Sequence, residues 1–70
     1  MKPLTFRALI KVLEGNGFTL VRQKGSHHIY KNVAGVMVSV PLHGKNKPIH
    51  IGTFLAIVKE SRLPRELFDL

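Results

Sequence analysis

The sequence predicts an α+β domain in the order helix, three-stranded antiparallel sheet, helix, with a short C-terminal helix to close it. Three observations lead there. Phe6, Leu9, Ile10 and Leu13 recur at the i, i+3, i+4, i+7 spacing of a helix that buries one face. Three runs rich in β-branched and aromatic residues then follow between Phe18 and Val40, separated by the turn segments Lys24-Gly25-Ser26 and Val33-Ala34-Gly35. Last, a Pro- and Gly-containing loop from Leu42 to Ile51 precedes the apolar cluster Phe54, Leu55, Ile57 and Val58.

Taken in order, the first helix runs from Thr5 to Glu14, with Pro3 before it and Gly15 and Gly17 after it. Phe18 to Lys24 and His27 to Asn32 form a hairpin, and Val36 to Val40 reads as a third strand stopped by Pro41. Thr53 is placed to cap the second helix. Pro64, favoured at a first helical position, opens a short closing helix through Arg65 to Phe68. Helices in this order cover one face of the sheet and leave the other to water or a partner.

Seventy residues allow one domain, 1–70, near the lower size limit for a fold held by its own core. Without cysteine there is no disulfide framework and no thiolate metal site. The run Phe54 to Val58 is too short to span a bilayer, and Arg7 and Lys11 interrupt the only stretch that resembles a signal peptide. A soluble, cytoplasmic protein without membrane contact is expected.

Charge points to the partner. The chain carries a net charge of +7, and its four acids, Glu14, Glu60, Glu66 and Asp69, lie towards the ends. From Gly15 to Lys59 there is no acid, while every histidine and Arg22, Lys24, Lys31, Lys45, Lys47 and Lys59 fall in that stretch. An acid-free basic segment of this length suits a polyanion, nucleic acid first.

The same distribution removes several chemistries. A magnesium site or a carboxylate acid and base pair needs converging Asp or Glu, and the middle of the chain has none. His27 and His28 are adjacent and point to opposite faces of a strand, and His43 and His50 lack helical i, i+4 spacing, so a zinc site is not expected. There is no Gly-rich phosphate loop, and Ser26 has no acid to orient a neighbouring histidine as its base. No cofactor is expected.

Metal-free RNA cleavage stays open, because it needs only a proton acceptor, a proton donor and positive charge. Imidazoles titrate near neutral pH, and Arg22 and Lys24 stand ready to steady phosphate charge. His43 and His50 suit surface or structural roles. Between His27 and His28, alternation pairs the first with Ile29 and the second with Tyr30. Burial of Tyr30, the larger apolar residue, leaves His27 on the open face; burial of Ile29 reverses the assignment.

The stretch "RQKGSHHIY", followed by "VSVPLHGKNKPIHIGTF", resembles the HicA toxins, also described as YcfA-like, the mRNA interferases of HicAB toxin–antitoxin systems. The shared pattern is Gly15 and Gly17 after the first helix, basic Arg22, Gly25-Ser26-His27 with Tyr30, Val40-Pro41 with His43, then Lys47 and Gly52-Thr53. It covers nearly the whole chain. The resemblance implies a fold like the double-stranded RNA-binding domain, endoribonuclease activity on mRNA and inhibition by a HicB-like antitoxin. It also implies that the catalytic histidine is the one directly after Gly-Ser, His27. Some relatives carry Asn there and His at the next position, which keeps His28 as rival or assistant. In this reading Arg22, Lys24, Lys45 and Lys47 hold phosphates, and Gly25 and Ser26 let the RNA backbone come close. Duplex RNA binders proper open their second helix with a lysine cluster, whereas this chain has Lys59 alone, well inside it. Two other readings share the basic face: a non-catalytic RNA-binding module, and a surface for docking an acidic partner.

Overall fold

The first turn of a helix leaves backbone N–H groups without partners, and Thr5 supplies one: Ala8 N donates to Thr5 Oγ1 at 3.2 Å. Helix α1 runs Phe6–Gly15 and buries Phe6, Leu9 and Leu13, as their spacing predicts. The computed structural model describes residues 5–41 and 47–69. Pro3 and the loop residues Leu42, His43, Gly44, Lys45 and Asn46 lie outside the described residues.

Strands β1 (Thr19–Lys24), β2 (His27–Lys31) and β3 (Met37–Pro41) form one antiparallel sheet in the order β1-β2-β3. Gly25 and Ser26 make the first turn, with Gly25 at φ +58°, a conformation that glycine reaches without the steric cost of a Cβ. The second turn is built by Asn32, whose side-chain oxygen accepts from Ala34 N at 3.0 Å and from Val36 N at 2.9 Å. Pro41 does not precede the end of β3 but forms it, opposite His27. A residue without an N–H is tolerated there because β3 is an edge strand.

Helix α2 spans Ile51–Ser61 and starts earlier than the sequence suggests. His50, not Thr53, caps it: the Nδ1 of His50 accepts from Gly52 N at 3.2 Å, so Thr53 falls inside the first turn. The structural role expected of His50 is this one. Arg62 ends α2 in the left-handed region at φ +59°. Pro64 sits just before the closing 3-10 helix, Arg65–Phe68, rather than within it.

Both helices pack on one face of the sheet. Tyr30, Val38 and Val40 contribute that face to the core, against Leu9 and Leu13 of α1 and Phe54 and Ile57 of α2. Phe68 closes it, edge-on to Phe54 with ring centroids 6.2 Å apart. The segment before α2 is pinned to the start of α1 by a bridge between Thr5 and Pro48 and by Phe6 N donating to the Lys47 carbonyl at 3.3 Å.

Tyr30 gives this core a pH dependence. Burial, with a further contribution from the Glu14 carboxylate, raises the Tyr30 phenol above its usual value. The folded chain therefore keeps a proton that the unfolded chain releases near pH 10. That contribution is whole below the unfolded value and is lost as pH rises through the folded one. Urea midpoints should fall at the alkaline end, and less steeply in Tyr30→Phe; parallel curves for the two proteins would refute this.

Candidate functional site

Because Tyr30 is buried, the two-residue alternation of β2 decides which histidine is presented. Tyr30 and His28 share the helix-side face; His27, Ile29 and Lys31 share the open one. His27 is exposed and His28 is half-buried. The Nδ1 of His28 lies 3.2 Å from the Ser26 carbonyl. A carbonyl only accepts, so this nitrogen carries the proton and Nε2 points away from the turn. The two imidazoles therefore do not converge on one point.

Register then assembles the open face in rows. Lys24, His27 and Pro41 stand opposite one another at the Gly25-Ser26 end of the sheet. Arg22, Ile29 and Ser39 form the next row, and Thr19, Lys31 and Met37 the last. Lys47 stands outside the sheet, where it lines a cleft of about 350 Å3 with Phe6, Pro41, His50 and Thr53. Among the described residues predicted for the site, Lys24, Gly25, Ser26 and His27 thus cluster at one end, with Arg22 one row in, while Lys47 lines the separate cleft that Pro41 borders. Lys45 and His43 fall outside the described residues.

A β-bulge makes this possible. In an uninterrupted strand Phe18, Leu20, Arg22 and Lys24 would all project to one side. The register slips by one residue between Leu20 and Arg22. The extra residue, Val21, lets Leu20 share the helix side with Tyr30 while Arg22 and Lys24 reach the open face opposite Ile29 and His27. Gly25 adds a second local device. A Cβ at this position would meet nothing within 4 Å, so glycine is required by its backbone angle, and the same open space leaves room for a ligand backbone.

Three further side chains come into view beside this face: Ser39 and Arg62, which sequence patterning does not single out, and Lys59, already part of the acid-free basic stretch. With Ile29, Met37 and the acid Glu60 they line a groove of about 880 Å3 between β3 and α2. Ser39 is traceable only through the pairing of β3 with β2, and Lys59 and Arg62 only through the placement of α2 beside β3. None of the four acids lies in the sheet, so charged side chains on its open face are all cationic. Among the described residues no group of three or more His, Cys, Asp or Glu comes together as a metal ion would require. No helix among them is long and apolar enough to cross a membrane.

Residues 6–63 of the 70 match the model of the HicA toxin of bacterial toxin–antitoxin systems. The chain belongs to the HicA toxin family. The match extends from α1 past the end of α2 and so includes every described site residue named above. HicA membership makes the chain a toxin of such a system and implies an antitoxin partner of the HicB type. No match was found among curated proteins.

Proposed function

We propose that this HicA toxin is a metal-independent endoribonuclease that cleaves mRNA in the cytoplasm, with His27 as general acid or base. The observation that carries the reading is the exposure of His27 in one row with Lys24 and one row from Arg22, on a sheet whose own charged residues are all cationic. A ribose 2′-oxygen attacks the adjacent phosphorus, the new O–P bond forms, and the bond to the 5′-oxygen breaks. The 2′-hydroxyl gives up a proton and the 5′-oxygen gains one; His27 performs one of these transfers and water the other. Lys24 and Arg22 stabilise the charge that builds on the phosphoryl oxygens, where electrostatic help counts most. Gly25 and Ser26 allow the RNA backbone to approach, and Lys47 and Lys45 hold flanking phosphates. The groove between β3 and α2 takes the neighbouring nucleotides, with two cations, Lys59 and Arg62, and one acid, Glu60, on its far wall. A HicB-type antitoxin seated on the open face blocks all of these contacts at once.

Purified protein incubated with a defined single-stranded RNA in EDTA tests this directly. The expected products are fragments with 5′-hydroxyl ends, and a DNA strand of the same sequence, lacking the 2′-hydroxyl, stays whole. RNA that is bound but uncut would identify a non-catalytic RNA-binding module. Cleavage that requires added metal would reject the mechanism.

A further inference from the structure

The helix side of the sheet carries a second basic cleft that the reaction above does not use. It lies between α1 and the β1–β2 hairpin, with a volume of about 470 Å3. Its floor is the helix-side face of the hairpin: Leu20 opposite Tyr30, then Gln23 opposite His28. Its wall is α1, from which Arg7 and Lys11, both exposed, project one turn apart along the same helix face. Glu14, a further turn along, is the one carboxylate in the lining, so two cations stand against one acid.

Three features indicate what fits. Arg7 and Lys11 supply positive charge at a spacing that suits successive phosphates, while Gln23 and His28 offer hydrogen-bonding groups to a base or sugar. With the Nδ1 of His28 engaged by the Ser26 carbonyl, its Nε2 remains for a ligand. Only the edge strand β1 separates the cleft from the open face. β1 is exposed along its whole length, has no strand on its outer side among the described residues, and alternates Arg22 and Lys24 on one face with Gln23 on the other.

We infer that the α1–β1 cleft is a second phosphate-binding subsite, in which Arg7, Lys11, Gln23 and His28 hold single-stranded RNA that wraps round the β1 edge from the His27 face. The inference rests on RNA being the substrate, as proposed above. It gives the adjacent histidines separate tasks on opposite faces, His27 at the cleaved bond and His28 along the flanking chain.

The test compares wild type with an Arg7→Gln/Lys11→Gln double variant and with His28→Ala. Both sets are read for binding of labelled RNAs of about 4 and about 16 nucleotides across a salt series, and for cleavage of the short RNA. Loss of two phosphate contacts should flatten the salt dependence of long-RNA binding by about 1.4 in log–log slope, at about 0.7 per contact. His28→Ala should weaken long-RNA binding as well, and short-RNA cleavage should stay at the wild-type level in both variants. An unchanged slope and affinity for the long RNA in a double variant that keeps its wild-type circular dichroism would overturn the proposal, while intact cleavage of the short RNA leaves the catalytic reading standing. Loss of antitoxin binding with RNA binding preserved would also overturn it, and would assign the cleft to an acidic protein instead. If wild type neither binds nor cuts either RNA, the nuclease reading fails and takes this subsite with it.

Discussion

His27→Ala is expected to lower RNA cleavage by about 10²–10⁴-fold, the range that a positioned acid or base contributes, and to relieve the growth arrest caused by expressing the toxin alone. The fold should survive, because the His27 ring is exposed and contributes nothing to the buried core. Circular dichroism and thermal unfolding of the variant should therefore match wild type. His28→Ala supplies the control: its ring stands on the other face, held at the Ser26 carbonyl, so cleavage of a short RNA should persist. The reverse pattern, with His28→Ala inactive and His27→Ala active on the short RNA, would overturn the assignment. Rescue of His27→Ala by added imidazole would identify the missing group as a proton carrier rather than a contact.

Phe54→Ala should destabilise the protein by about 3–5 kcal/mol, the usual cost of removing a buried aromatic ring and leaving its cavity. Phe54 is fully buried at the centre of the helix side and meets the Phe68 ring edge-on at 6.2 Å. A domain of this size has little margin, since total stabilities of about 5–15 kcal/mol are usual and small domains lie low in that range. The midpoint of thermal unfolding should drop by on the order of 20 °C, at about 4–8 °C per kcal/mol, and the toxic phenotype should fade with it through loss of folded protein. An unchanged midpoint would contradict the packing described for α2. The two variants then separate the causes of lost toxicity, one by chemistry in an intact fold and the other by loss of the fold itself.

The elements were legible because their signals are local. The i, i+3, i+4, i+7 spacing of α1 and the Gly-Ser turn both depend on residues within a few positions of one another. Helix α2 was less so. Its cap is an imidazole nitrogen at His50, a residue type that ranks below Thr in capping preference, and Thr53 was the more conventional candidate. The groove residues Ser39 and Arg62, and the place of Lys59 beside them, were invisible for a different reason: they share a groove with Ile29 only through strand pairing and helix packing, both of which join distant parts of the chain.

From its sequence alone the chain determines that it is a small α+β domain with an acid-free basic middle, two adjacent histidines after a tight turn, and the motif order of a HicA toxin. Which histidine looks outward was decided only in three dimensions. Strand alternation makes the two choices mirror images, and burial of Tyr30 against α1 and α2 selected the one that exposes His27. The same holds for Arg22 and Lys24. Simple alternation groups them with Phe18 and Leu20, and one extra residue at Val21 turns them to the face of His27, a slip that exists only in the pairing of β1 with β2.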